Sequence, residues 1–298
     1  MKRKDFLKTA IGAALTAVAP GKIAAEEDKK TLPKEFYGVL TDTTRCIGCR
    51  ACEKACAKEH GFPVPKFEEK DFQEKSRVTT ETKLTVVNRY ETSKGEVFVK
   101  KQCMHCWQPA CASACLTNAM FKTEDGPIIW QDGKCMGCRF CMIACPFGIP
   151  KAEYNSPNPK IQKCDMCWER IQDGKKPACV EACPTDALMF GKKRQLMEIA
   201  RVRIYNHSND YIHHIYGEHE VGGAGWLYIS NVPFEELGFR TDLGTLPYPE
   251  FTKEFLYAVP GVFLTVPAFL FGLNLLTRKD SPDGDDDLGG EDKKNDRE

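Results

Sequence analysis

The 298-residue chain carries sixteen cysteines, and they fall without remainder into four sets of four. In chain order these are Cys46, Cys49, Cys52 and Cys56; Cys103, Cys106, Cys111 and Cys115; Cys135, Cys138, Cys141 and Cys145; and Cys164, Cys167, Cys179 and Cys183. The first and third sets share Cys-x-Gly-Cys-Arg-x-Cys, with Gly48 matching Gly137 and Arg50 matching Arg139. The second and fourth share Cys-x-x-Cys-Trp followed by Pro-Ala-Cys-x-x-Ala-Cys, with Trp107 matching Trp168, Pro109 matching Pro177 and Ala114 matching Ala182. Two kinds of set alternating in this way is the pattern of a duplicated two-set unit.

Three cysteines at close spacing wrap a loop around one compact inorganic cluster, while the fourth, a helical turn further on, points elsewhere. In two-cluster bacterial ferredoxins that fourth thiolate ligates the neighbouring cluster. Applied here, the rule predicts four 4Fe-4S clusters. Sets two and three exchange their last cysteines, giving Cys103, Cys106, Cys111 with Cys145 and Cys135, Cys138, Cys141 with Cys115. Sets one and four pair across them, giving Cys46, Cys49, Cys52 with Cys183 and Cys164, Cys167, Cys179 with Cys56. A disulfide framework has no reason to repeat one three-plus-one spacing, and zinc sites commonly use two Cys-x-x-Cys pairs separated by a longer loop. A non-cysteine at a ligand position, which would leave a three-iron cluster, is absent. Pro146 and Pro184 follow the last cysteines of sets three and four, whereas Ala57 and Leu116 stand at the corresponding places in sets one and two.

The fold expected is α+β: a duplicated bacterial-ferredoxin-like domain over residues 36–192, in which 46–56 and 164–183 enclose 97–150. Residues 77–101 interrupt it with β-branched residues from Thr79 to Tyr90, a turn at Ser93-Lys94-Gly95 and further alternation from Glu96 to Lys100, which reads as an inserted hairpin. Residues 193–250 form a partner-contact extension. Lys192 to Tyr205 is expected to be an amphipathic helix with Leu196, Ile199, Val202 and Ile204 at helical intervals. Val221-Gly222-Gly223-Ala224-Gly225 implies a close backbone approach before a strand at Trp226 to Ser230. His105 is expected to pack within its loop, tuning of a cluster being the alternative. Trp107 and Trp168 are expected to cover clusters, and His213, His214 and Tyr216 to form a surface loop facing a partner, with a quinone or metal site as the sharper alternative.

The ends of the chain read differently. Residues 1–25, with Lys2, Arg3 and Lys4 before a mildly apolar stretch and Ala24-Ala25, have the layout of a targeting segment. Arg3 to Lys8 resembles a twin-arginine export signal, Lys4 standing in place of the second arginine. Such a route carries folded cargo, so clusters could be built in the reducing cytoplasm before export. Residues 255–276 hold no charge and would span about 33 Å as a helix, enough to cross a bilayer; Pro260 and Pro267 are tolerable in such a span. Residues 280–298, with nine acids against three bases, have a disordered composition. Arg278 and Lys279 suggest that this tail is cytoplasmic and that the cluster domain is periplasmic. The formal net charge of zero gives no electrostatic reason to expect a nucleic-acid partner.

The four sets, together with "KKQCMHC", "CMIACPFGIPK", "PACVEACPTDALMFG" and the single C-terminal span, resemble the iron–sulfur subunits of bacterial respiratory oxidoreductases over roughly residues 36 to 276. The leader, "YGEHEVGG" and "VPFEELG" narrow the resemblance to the HybA-like, membrane-anchored subunits of hydrogenase-2-type nickel–iron hydrogenases. This resemblance implies a non-catalytic inner-membrane subunit relaying electrons between a periplasmic hydrogenase, through its small and large subunits, and an integral quinone-reactive subunit. The alternatives are the beta subunit of a molybdenum enzyme such as formate dehydrogenase, and a structural metal-cluster scaffold.

Overall fold

The computed structural model describes residues 35–68 and 76–277. The leader, residues 278 and 279 and the acidic tail, on which the export and orientation expectations rest, lie outside the described residues. The chain divides after Pro247 into two units.

In the first unit, β1 (Tyr37–Asp42) is the centre of a three-stranded sheet. Short helices follow the cysteine loops: α1 (Ala51–Glu59), α2 (Ala110–Ser113), α3 (Phe140–Ala144), α4 (Trp168–Gln172) and α5 (Ala178–Glu181). Between α1 and α2 runs the hairpin β2 (Val86–Thr92) and β3 (Gly95–Lys101); two further two-stranded ladders are β4 (Met120–Lys122) with β5 (Ile128–Trp130), and β6 (Lys151–Ala152) with β7 (Ile161–Gln162). After α5 come β8 (Leu188–Lys192), α6 (Lys193–Asn206) and β9 (Trp226–Ile229). β1 pairs antiparallel with β8, Tyr37 opposite Lys192, and parallel with β9, Val39 opposite Trp226. A late strand therefore lies beside the first one.

The expected hairpin is present, but its first strand begins at Val86 rather than Thr79. Thr80 and Lys83 exchange backbone hydrogen bonds and close a turn there, so their β-branched neighbours cannot enter the ladder. Gly95, at φ 100, supplies the left-handed residue after the two-residue loop. The α6 helix lies where periodicity places it, with a different buried face. Leu196, Ala200 and Ile204 pack on Leu40, Leu227 and Ile229, whereas Val202 is exposed. These three positions, each one helical turn apart, point to the same side.

Buried charge ties these pieces together. Asp42, 1% exposed, accepts hydrogen bonds from Arg203 Nη1 at 2.6 Å, Tyr211 OH at 2.9 Å and the Thr44 backbone N–H at 3.1 Å, anchoring α6 to the end of β1 just before the first cysteine loop. Glu53 of α1 accepts hydrogen bonds from the Val87 backbone N–H at 2.7 Å and from Nη1 and Nη2 of Arg77, fastening the hairpin to the helix that carries Cys52 and Cys56.

The second unit contains one described helix, α7 (Glu250–Thr277), with Pro260 and Pro267 inside it and no buried residue. It is long and apolar enough to cross a membrane. Thr265 Oγ1 donates to the Gly261 carbonyl at 2.9 Å, the carbonyl one turn back in the helix.

Removing one partner of a buried, hydrogen-bonded charge pair leaves the other uncompensated. Glu53→Ala is expected to cost about 3 kcal/mol and to lower the apparent melting temperature by roughly 6–12 °C, as measured by thermal scanning of the intact chain. An unchanged transition would show that the Glu53 contacts do not hold the hairpin.

Candidate metal centres

The cysteine loops have no regular secondary structure of their own, and their shape comes from left-handed residues at fixed places. In set one, Cys46 leaves a 3-10 turn, Thr43–Arg45, in extended conformation, Gly48 has φ 69, and Arg50 at φ 56 starts α1. In set three, Cys135 leaves the turn Asp132–Lys134, Gly137 has φ 73, and Arg139 at φ 60 starts α3. The two loops thus bend in the same sequence, curling the backbone so that successive thiols face one centre.

Sets two and four match each other in the same detail. The His105 N–H approaches Cys103 Sγ at 3.5 Å and the Met166 N–H approaches Cys164 Sγ at 3.4 Å, with His105 at φ 49 and Met166 at φ 63. Pro109 and Pro177 precede α2 and α5, which carry Cys111 and Cys179. Beyond the last cysteines, Thr117 and Thr185 hydroxyls sit 3.8 Å from Cys115 and Cys183 Sγ, and Asn118 and Asp186 are left-handed. Backbone N–H groups aimed at sulfur are the usual support of a charged thiolate.

All sixteen cysteines are free thiols. Cys46, Cys49, Cys52 and Cys183 line one pocket. Cys56 lies in the electrostatic field of Cys179 and Cys167, and Cys164 in that of Cys56. Cys106 has Cys103, Cys145 and Cys111 around it, and Cys141 has Cys115, Cys135 and Cys138. The four groups adjoin in a row, since Cys52 interacts with Cys179, Cys164 with Cys103, and Cys111 with Cys141. At the two ends of this row, Cys49 and Cys138 are exposed, and most of the other thiols are buried.

Burial determines the electrostatics. It pushes the thiols of Cys46 and Cys141 up to about 11 and those of Cys111 and Cys167 up to about 12, and raises Cys52, Cys56, Cys106 and Cys164 as well. Cys115 goes the other way: it is little buried, and hydrogen bonds led by the Met120 N–H at 3.3 Å outweigh the burial. Packing so many buried thiols together makes each deprotonation harder for the others. Thiolate ligation is therefore possible here only with a bound cation to compensate the charge. Sixteen soft sulfur donors in groups of four are the donor set that iron–sulfur clusters take.

His105 is buried, as loop packing requires. Its Nδ1 accepts the Ile128 N–H at 3.0 Å, which places the ring proton on Nε2. That Nε2 is buried without a hydrogen-bond partner among the described residues. The close backbone approach expected of the glycine-rich stretch is made to the loop of set two, a partner the sequence did not indicate: Gly225 N–H donates to the His105 carbonyl at 2.9 Å and Trp226 N–H to that of Met104 at 3.0 Å. A Cβ on Gly225 would lie 3.2 Å from the His105 oxygen.

Trp107 is partly exposed and meets the Phe36 ring edge to face, with the Lys122 ammonium, whose pKa burial lowers to about 8, over both rings. Trp168 packs at the edge of the main core. The expectation of a surface loop at His213, His214 and Tyr216 fails for the tyrosine. Tyr216 is 1% exposed, bridges β9 at Tyr228 and stacks among Phe234 and Phe239, because only its hydroxyl needs a polar partner and finds the Arg240 carbonyl at 2.9 Å. His213 and His214 are exposed, and His214 pairs with Glu220 at 2.8 Å.

Sequence reasoning missed two buried lysines beside these groups, Lys100 and Lys163. Lys163 Nζ donates to the carbonyls of Ile128 and Cys164. The only sign of either was adjacency to a cysteine motif.

Residues 95–193 match the family described as the 4Fe-4S dicluster domain. The chain is 46% identical to a protein of Nitratidesulfovibrio vulgaris (strain Hildenborough) over 94% of its own length and 78% of that protein. It is 34% identical to the hydrogenase-2 operon protein HybA of Escherichia coli O157:H7, covering 96% of this chain and 99% of the relative. It is also 34% identical to the iron–sulfur subunit of nitrate-inducible formate dehydrogenase of Escherichia coli K12, over 64% of this chain and 66% of that subunit. With its ferredoxin-type domain and its sulfur donors, the protein is an iron–sulfur electron-transfer subunit of the hydrogenase and formate dehydrogenase type. Within that class the chain belongs to the HybA-like family.

The two matching glycines differ in what lies beside them. A Cβ at Gly48 would come within 2.5 Å of the Phe98 ring, whereas one at Gly137 meets nothing within 4 Å. Both substitutions strain a left-handed residue, and Gly48→Ala adds overpacking of about 1–3 kcal/mol. Its apparent melting temperature is expected to fall below that of Gly137→Ala; equal values would mean that Phe98 moves aside freely.

Proposed function

We propose that the chain holds four 4Fe-4S clusters in a duplicated pair of ferredoxin units and relays electrons between a periplasmic nickel–iron hydrogenase and a quinone-reactive membrane subunit. The observation that carries this reading is the row of four thiol groups ending in exposed cysteines, Cys49 at one end and Cys138 at the other.

The ligand sets are Cys46, Cys49, Cys52 and Cys183; Cys56, Cys164, Cys167 and Cys179; Cys103, Cys106, Cys111 and Cys145; and Cys115, Cys135, Cys138 and Cys141. When bound, each cluster supplies one-electron redox chemistry. The protein's share is to fix the thiols, exclude water from the interior of the row and offer hydrogen bonds. The buried Nε2–H of His105 is the donor available to the sulfurs of the third set. Near Cys138, the apolar side chains of Met136, Phe140 and Ile143 are exposed, a surface suited to a protein partner. The leader directs export, α7 anchors the chain in the inner membrane, and the tail remains cytoplasmic. Hydrogen oxidation belongs to the partner.

The relationship to a HybA protein over nearly the full length of both chains favours a hydrogenase over a molybdenum enzyme. Elemental analysis of the detergent-solubilised complex, purified anaerobically through a tag on this chain, is the test: nickel with iron is expected, and molybdenum without nickel would assign the formate dehydrogenase type. Cys138→Ser is expected to remove about a quarter of the bound iron and to lower hydrogen-dependent quinone reduction sharply. Full activity with that iron lost would overturn the relay.

A further inference from the structure

Lys100, at the end of the inserted hairpin, is one of the most completely buried side chains in the protein. Its ammonium donates to Gln102 Oε1 at 2.9 Å and lies 4.4 Å from the centre of the Trp226 ring. Neither contact brings a negative charge, and among the described residues no carboxylate pairs with it. A buried, unpaired ammonium is costly in a low-dielectric interior and is normally neutralised or matched by a counter-charge.

The counter-charge is on the other side. Lys100 lines the pocket that also contains Cys46, Cys49, Cys52 and Cys183. Its electrostatic partners are Cys52 from that group and Cys179, Cys164 and Cys56 from the next. Arg50 lines the same pocket, but it is paired with Glu53. The hairpin is fixed against the first cysteine helix through Glu53 and Val87, and its Phe98 ring packs on Gly48, so the position of Lys100 is set by the same contacts that shape the first loop.

Resting on the four-cluster reading above, we infer that the inserted hairpin places Lys100 as a shared counter-cation between the first two clusters, holding both at higher reduction potential than their thiolate ligands alone would set. A cluster carried by four thiolates is a dianion when oxidised and a trianion when reduced. A fixed positive charge nearby therefore stabilises the reduced form more, and net charge is one of the determinants of cluster potential. Lys100 is a positioning residue in this sense: it touches no substrate and moves no electron.

The test is a redox titration followed by electron paramagnetic resonance on the intact membrane complex, with iron content measured in parallel. Lys100→Met is expected to keep its iron and to shift two of the four midpoint potentials downward. A tenfold fall in the reduced-to-oxidised ratio at fixed potential corresponds to about 59 mV for a one-electron couple. The exchange Lys100→Gln with Gln102→Lys returns a cation to the side-chain pair that Lys100 and Gln102 now form and is expected to restore both potentials. If Lys100→Met instead loses iron from two clusters, the exchange variant decides: recovered iron with wild-type potentials supports the inference, and recovered iron with two lowered potentials overturns it. Unchanged potentials in Lys100→Met, or an exchange variant that behaves like it, would overturn the counter-cation. A wild-type complex lacking reducible 4Fe-4S signals would overturn the four-cluster reading itself, and the counter-cation with it.

Discussion

Everything in this protein follows from the difficulty of keeping many sulfur anions inside a small protein body. Burial makes the interior thiols such as Cys106 and Cys164 harder to ionise, and neighbouring thiols add to the penalty. The arrangement becomes favourable only when bound metal takes up the charge, which makes metal binding part of folding free energy rather than an addition to a finished fold. This accounts for the slight secondary structure around the sites. Helices of four or five residues and two-residue ladders would not stand alone, and here they need only aim sulfur atoms and backbone N–H groups.

The rest of the chain supplies what these short elements lack. The β8–β1–β9 sheet and α6 provide an ordinary apolar core, with Leu40, Leu196, Leu227 and Ile229 fully covered. Two buried carboxylates, Asp42 and Glu53, join that core and the hairpin to the first cysteine loop. The glycine-rich stretch at 222–225 closes over the second loop. The segment after residue 193, expected from sequence to be an extension, thus contributes a strand and a backing layer to the same compact unit.

How much of this could be read in advance depended on whether the signal was local. Cysteine spacing is local, so the matching of Gly48 with Gly137 and of Pro109 with Pro177 could be read directly and reappears as matching backbone bends. The α6 helix and the hairpin also carried local periodicity. The parallel β1–β9 pairing was not legible, because it joins residues nearly two hundred positions apart and neither strand states its partner. Tyr216 was misjudged since it follows two exposed histidines, while its burial is decided by Phe234 and Phe239 far along the chain. Lys100 was invisible for a related reason: a lysine in a strand reads as a solvent-facing residue, and only the packing of Trp226 and the cysteine loops around it encloses its charge.

The topology also orders events in time. Residues 103–145 bring two thiol groups together within some forty positions, a short closure. The groups that join Cys46 to Cys183 must wait for a much longer loop, and the sheet that seals them is complete only when Ile229 reaches β1. Loop-closure entropy grows slowly with length, but a nascent chain cannot close a loop whose far end has not been synthesised. The two thiol groups at one end of the row can therefore gather while the ribosome is still making the second half, and the two at the other end are closed last, by the chain's own late strand.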